Sequence, residues 1–185
     1  MDLFSEIEQR RASNARKLAA FGVTAAVTES GLVRIARDGN AVTIYTIGYE
    51  RRDGEGLISA LQDQGVRAIA DVRERPMSRK PDFRATALRA SCEMAGIEYQ
   101  AWPMLGSTVE LREELQASGD FKEFAQKFRG HAVESMTADL GRLAKQVQKT
   151  PTALLCYERV HNECHRSVIA DLVAEELNAT IVAIQ

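Results

Sequence analysis

Beyond Val42 the chain alternates short β-branched apolar runs with longer segments whose apolar positions recur every three or four residues. This is the pattern of βαβ units built on a mostly parallel sheet. The apolar runs predict strands over Val42–Tyr49, Val66–Val72, Ile97–Trp102, Thr152–Cys156 and Thr180–Ile184. Between them the helical spacing predicts Glu55–Gln64, ended by Gly65, and Phe83–Ala95, entered at Asp82 and ended by Gly96. Ser107–Gln148 is longer than one crossover needs and predicts two or three helices, broken near Ser118-Gly119-Asp120 and Arg129-Gly130, with Thr150-Pro151 closing the stretch. The amphipathic run Val168–Leu177 precedes the last strand. The expected fold is α/β, a single three-layer domain over residues 42–185 with a mostly parallel, roughly five-stranded sheet and helices on both faces.

Residues 1–41 read as an appended arm. An amphipathic helix is expected over Leu3–Ala20, then two strand-like runs, Val23–Thr28 and Leu32–Arg37, joined by turns at Glu29-Ser30-Gly31 and Asp38-Gly39-Asn40 as a small antiparallel meander. Arg10, Arg11, Arg16 and Lys17 could touch nucleic acid, although charge on one side of an amphipathic helix is ordinarily its solvated face.

Composition narrows the function classes. At 185 residues, 45% of them hydrophobic, the chain can fill a real core. A net charge of -2 and a pI near 6.0 exclude a broad basic coat, so any nucleic-acid contact must be local. No apolar run approaches the roughly twenty residues of a membrane span, and the N-terminus lacks the apolar segment of a signal peptide. A cytoplasmic protein with no membrane partner is expected. Three cysteines, Cys92, Cys156 and Cys164, form an odd, sparse set suited to a reducing compartment.

The chemistry-bearing residues fall at the carboxyl ends of successive predicted strands, where open parallel sheets bind ligands. Gly48, Tyr49 and Glu50 follow the first; Gly48 would allow a ligand or another backbone to come close. Asp71 through Lys80 follow the second and place Arg73, Arg75, Arg79 and Lys80 within eight residues. Guanidinium groups bind phosphate or carboxylate through paired hydrogen bonds, and Pro76 and Ser78 belong to the same loop. The bland alternative is that Asp71 and Glu74 simply neutralise two of these arginines. Cys156 and Glu158 follow the fourth strand, and Cys164-His165-Arg166-Ser167 opens a helix whose unpaired N–H groups favour an anion. Glu50, Asp71 and Glu158 are candidate acid–base or metal-holding groups. Cys164, at a helix start beside Arg166, is a candidate nucleophile with a lowered pKa, or else a small apolar filler.

Two specific patterns fail. A cysteine phosphatase needs Arg six positions after its Cys, where Cys156 has Asn162 and Cys164 has Ala170. Cys156, His161, Cys164 and His165 are all zinc ligand types, but the usual paired cysteine spacing is missing and adjacent side chains at a helix start rarely face one ion. No metal site is therefore expected.

Thr46-Ile47-Gly48-Tyr49-Glu50, Asp71-Val72-Arg73 through Pro76 with Ser78-Arg79, the Leu105-Gly106 turn, and Leu155-Cys156-Tyr157-Glu158 followed by Cys164-His165-Arg166-Ser167 together resemble the bacterial and archaeal family known as domain of unknown function 488. The resemblance runs from about Thr43 to the C-terminus, and implies a single α/β domain with a shared polar cluster at these positions. It brings no established activity. The sequence departs from the family pattern at His161, where Pro is usual, at Arg51-Arg52, where small residues are usual, and at Ser107, where a second Gly is usual.

The leading expectation is a strand-end cleft that binds a phosphorylated ligand, either a nucleotide or a nucleic-acid backbone, and hydrolyses or transfers a group on it. Arg73, Arg75, Arg79 and Arg166 would hold the anion. The alternatives are a noncatalytic nucleic-acid-binding module, with Trp102 or Tyr49 stacking on a base, and a thiol-dependent sensor using Cys164. The sequence names no cofactor and no oligomeric state.

Overall fold

Five parallel strands form the central sheet of the computed structural model, which describes residues 24–27, 33–36 and 42–185. Two short strands, β1 (Thr24–Val27) and β2 (Val33–Ala36), pair antiparallel with Thr24 opposite Ala36, as the expected meander requires. The expected helix Leu3–Ala20 and both turns of the arm lie outside the described residues.

The main sheet contains β3 (Thr43–Gly48), β4 (Ala68–Asp71), β5 (Glu98–Ala101), β6 (Thr152–Cys156) and β7 (Thr180–Ile184), in the spatial order β5-β4-β6-β3-β7. Its helices are α1 (Gly54–Asp63), α2 (Ala85–Met94), α3 (Val109–Ser118), α4 (Phe121–Ser135), α5 (Thr137–Lys149) and α6 (His165–Leu177). β6 is buried along its whole length because it lies at the centre of the sheet with helices over both faces.

Strand alternation sorts the two cores. Ile47, Ile69, Ala153 and Leu155 pack with Leu57 and Leu61 of α1 and Leu88 and Cys92 of α2. Ile44, Ala70 and Leu154 point the other way, against Phe128 of α4, Leu143 and Val147 of α5, and Ile169 and Val173 of α6. This is the three-layer α/β architecture expected from the sequence.

Besides shifts of one or two residues at element ends, two boundaries differ from the sequence reading. The second main helix does not begin at Phe83: Pro81–Phe83 form a 3-10 turn and α2 starts at Ala85. Asp82, the expected cap, instead accepts the Gly54 N–H at 3.2 Å, tying α1 to this turn. The second break in the long helical stretch is at Met136 rather than at Arg129-Gly130. Gly130 stays helical because Phe128 and Ala132 on either side of it are buried in the core, and this outweighs a glycine cost of about 1 kcal/mol. The break near Gly119 is as expected, with Thr108 and Asp120 capping α3 and α4 through side-chain oxygens.

Candidate functional site

The strand order creates a crevice at the carboxyl end of β6. Its outgoing loop leads to α6 on one face of the sheet, while the loops of its neighbours β4 and β3 lead to α2 and α1 on the other. A cleft of about 600 Å³ opens there, lined by residues that follow all three strands, among them Tyr49, Arg75, Arg79, Cys156, Glu158 and His165. The distant motifs therefore meet at one rim.

On the β4 side the polar groups satisfy one another. Arg73 forms a two-pronged pair with Asp71, Nε to Oδ1 at 2.7 Å and Nη2 to Oδ2 at 2.6 Å, and both side chains are buried. Arg73 Nη1 donates to the Tyr49 hydroxyl at 3.0 Å and the Phe83 carbonyl at 2.9 Å, and the Tyr99 hydroxyl donates to Asp71 Oδ2 at 2.7 Å. Burial works against the Arg73 charge, but Asp71 and Tyr49 more than offset it and raise its pKa. Burial and the Asp71 carboxylate likewise raise the Tyr99 pKa. Asp71 therefore serves as the buried counter-ion of Arg73, and with Nε, Nη1 and Nη2 all bonded, Arg73 has little left to offer an anion, which weighs against the acid–base and anion-holding roles expected of the two. The neutralisation reading holds for Asp71; Glu74 pairs instead with Arg112, at 2.5 Å.

Close backbone crossings hold the loops in place. A Cβ on Gly48 would lie 1.8 Å from the Glu158 carbonyl oxygen, so Gly48 admits another backbone, not a ligand. A Cβ on Gly106 would lie 2.3 Å from Glu74 N, so the Leu105-Gly106 turn lets the arginine loop cross it. Polar side chains reinforce the loops that follow β3, β4 and β6. Lys80 Nζ donates to the carbonyls of Tyr49, Glu50 and Arg52 at 3.3, 2.6 and 2.8 Å. Glu50 Oε2 accepts the Arg159 N–H at 3.1 Å. Arg166, buried, donates to the carbonyls of Glu158 at 2.5 Å and Arg159 at 3.1 Å. Ser167 Oγ donates to the Cys164 carbonyl at 2.9 Å, and the Pro76 carbonyl accepts from Ala85 N at 3.1 Å. Glu50, Arg166, Ser167 and Pro76 thus shape the cleft without lining it, contrary to their expected roles.

On the β6 side, soft donors converge. Cys156 Sγ lies 3.7 Å and Cys164 Sγ 4.0 Å from His165 Nδ1, and the three donor atoms are mutually within 4.8 Å. His165 Nε2 sits 2.9 Å from the Val72 carbonyl, which only accepts, so Nε2 carries a proton in either form of the ring, and the neutral form turns its Nδ1 lone pair toward the sulfurs; burial opposes protonation, but Cys164, the Val72 carbonyl and Glu158 raise the His165 pKa. Cys156 Sγ also donates to Glu158 Oε2 at 3.2 Å. Burial would raise the Glu158 pKa, but hydrogen bonds from Cys164, its own backbone and Cys156 lower it and keep the carboxylate ionised.

The Cys164 thiol is pushed well above its usual range, first by burial and then by its contact with Cys156. Cys164 is 2% exposed, and the rise in its pKa favours the neutral thiol, which argues against the expected helix-start thiolate and against a sensor that needs an exposed one. His161 is not part of the cluster. Its Nδ1 lies 2.9 Å from Thr46 Oγ1, and burial and then Arg166 lower its pKa. The expectation that Cys164 and His165 would not face one point is also corrected. Cys164 is the extended cap of α6 and His165 its first helical residue, and at this change of backbone direction the two side chains approach one another.

At the mouth, Arg75 and Arg79 line the cleft exposed and with no ion-pair partner among the described residues, and Ser78 lines it beside them. Tyr49 contributes one wall but is buried, stacked on Phe83 with ring centroids 4.2 Å apart. Trp102 is 5% exposed, so neither expected stacking residue presents a face to a base. Tyr157, 47% exposed on the cleft, does. The sequence reading missed Tyr157 and Arg112. Tyr157 carried a signal, lying between Cys156 and Glu158; Arg112 comes from α3, where nothing in the sequence marks it.

Among the described residues no helix is long and apolar enough to cross a membrane. No curated protein and no solved structure matches the chain significantly. The model of the family described as "Domain of unknown function DUF488" matches residues 54–173, well over half of the chain and the span that carries the arginine loop, Cys156, Glu158 and His165, and the protein belongs to that family.

Proposed function

We propose that the strand-end cleft binds a phosphorylated ligand and catalyses hydrolysis or group transfer on it. The observation that carries this reading is the pair of uncommitted guanidinium groups, Arg75 and Arg79, opening on a cleft of about 600 Å³ in a chain whose net charge is -2. That volume suits a nucleotide-sized molecule. Exposed guanidinium groups without carboxylate partners are ready-made phosphate ligands. Glu158, held as a carboxylate at the cleft wall, is the group suited to accept a proton from an attacking water or hydroxyl.

The test is calorimetric titration with inorganic phosphate, nucleoside mono-, di- and triphosphates and sugar phosphates, on the wild type and on the Arg75→Ala/Arg79→Ala double variant. Saturable binding that weakens at least about tenfold in the double variant and with added salt is the expected result. Binding that ignores the double substitution, or no binding to any of these compounds, overturns the reading. Turnover of whichever compound binds should fall in Glu158→Gln while its affinity changes little.

A noncatalytic contact with a nucleic-acid strand is the second reading, favoured by Tyr157, which is exposed on the cleft with the two arginines. It predicts oligonucleotide binding that exceeds mononucleotide binding, is lost in Tyr157→Ala, and comes with no turnover.

A further inference from the structure

We propose that Cys156, Cys164 and His165 form a binding site for one divalent metal ion of the zinc type, with the fourth ligand position facing the cleft beside Glu158. Three observations support it. The first is distance. With zinc–sulfur bonds of about 2.3 Å and zinc–nitrogen bonds of about 2.0–2.1 Å, a tetrahedral ion separates its sulfur and nitrogen ligands by about 3.5 Å. The sulfurs stand 3.7 and 4.0 Å from His165 Nδ1 and within 4.8 Å of each other, so the sulfur–nitrogen pairs close by no more than about half an ångström, and the two sulfurs move to about 3.8 Å apart, to seat an ion among them.

The second is orientation. Metal-ligating histidines almost always donate their other ring N–H to a carbonyl or carboxylate, which fixes the tautomer and aims the free lone pair at the metal. His165 does this through Val72, and its ring is further held edge-on by Phe128, with centroids 5.6 Å apart. The third is charge and access. Two thiolates and a neutral imidazole balance a divalent ion at zero net charge, which suits a site where Cys156 is 4% and Cys164 2% exposed. On binding, each thiol gives its proton to solvent and each sulfur gains a bond to the metal, so no oxidant or reductant is needed. Cys156, Glu158 and His165 line the cleft, which supplies the entry path.

Two sulfurs and one nitrogen select a soft or borderline ion over magnesium or calcium. Three protein ligands and an open position beside a carboxylate are the arrangement of zinc ions that activate water, in contrast to closed structural sites. The metal site does not depend on the phosphorylated-ligand reading. Loss of anion affinity and loss of metal affinity are separate measurements, so either proposal can fail alone.

The experiment uses the full chain, purified with a reductant, stripped by a chelator and titrated with Co²⁺ and then Zn²⁺. One equivalent of Co²⁺ should produce tetrahedral ligand-field bands together with thiolate-to-metal charge transfer, and one equivalent of Zn²⁺ should abolish both. Cys156→Ser should weaken binding more than about tenfold and diminish the charge-transfer band, while His161→Ala should leave the titration unchanged. Binding at other than one equivalent, a Co²⁺ spectrum without charge transfer, undiminished affinity in Cys156→Ser, or a Cys156–Cys164 disulfide that persists after purification with the reductant overturns the proposal. The wild-type spectrum decides by itself if the variant does not fold.

Discussion

The two walls of the cleft treat their polar groups in opposite ways. On the β4 wall Asp71, Arg73, Tyr49 and Tyr99 are joined in one buried network in which both carboxylate oxygens of Asp71 are bonded. On the β6 wall Cys156 Sγ donates to Glu158 Oε2 at 3.2 Å, and the sulfurs of Cys156 and Cys164 stand 3.7 and 4.0 Å from the Nδ1 of His165 in long, soft contacts that turn all three toward one point. A saturated network has little left to offer a ligand; it holds a loop. Soft donors that converge through long, weak contacts keep more capacity to bind. Strand parity separates the two: Asp71 shares its face with Ile69, toward α2, and Cys156 shares its face with Leu154, toward α6.

The contrast can be broken by substitution, and the largest effect belongs to the β4 wall. Asp71→Ala strands a buried guanidinium and should cost about 3–5 kcal/mol in chemical denaturation, whereas Cys156→Ser, measured with chelator present, should cost under about 1 kcal/mol. Equal losses would erase the distinction between the walls. Next is Gly48→Ala, which forces a methyl group into the Glu158 carbonyl and should cost on the order of 1–3 kcal/mol while weakening whatever the cleft binds, because the loop bearing Glu158 must shift. Unchanged stability and binding would show that this crossing does not hold the wall.

A smaller effect sharpens the comparison through pH. Burial, then the Asp71 charge, pushes the Cys92 thiol from 9.0 up to about 12, and burial and Asp71 also raise Tyr99 above its ordinary 10.0. Both groups keep their protons longer in the folded chain than in the unfolded one. The unfolded state therefore releases them first, and stability present below pH 9 declines as pH rises past 9 and then 10. Tyr99→Phe should flatten the decline above pH 10 in pH-dependent thermal melts; an identical slope would mean that Tyr99 keeps no proton advantage in the fold. The smallest effect is at the mouth, where Arg75→Ala should alter stability by no more than about 0.5 kcal/mol. A larger loss would mean that Arg75 has a structural partner and belongs with Arg73.

Much of this frame is legible in the residues. β6 and β7 fall where the apolar runs place them, because each is a strand-length apolar run bounded by turn residues, Thr150-Pro151 before β6 and Asn178 before the β-branched β7. Convergence at the strand ends follows from the parallel topology alone. What the sequence does not carry is the partner of each polar group. Arg73 and Arg75 lie two positions apart in one loop with the same chemistry, yet one is enclosed by Asp71, Tyr49 and Phe83 and the other reaches the cleft. Asp71, two residues before Arg73, is the one local sign; Tyr49 and Phe83, which complete the enclosure, come from the loop after β3 and from the 3-10 turn. Spacing rules likewise miss the sulfur cluster, because they assume ligands carried on one compact knuckle, and here a strand end and a helix cap supply them.

The position of β6 sets the order in which the chain can fold. It lies between β4 and β3 and is hydrogen-bonded to both, yet it follows β3 by about a hundred residues. Until Thr152–Cys156 has left the ribosome, β3 and β4 have no common neighbour, so the sheet closes late in synthesis and through contacts of long sequence separation. Such a topology folds slowly for its size and exposes unpaired strand edges meanwhile.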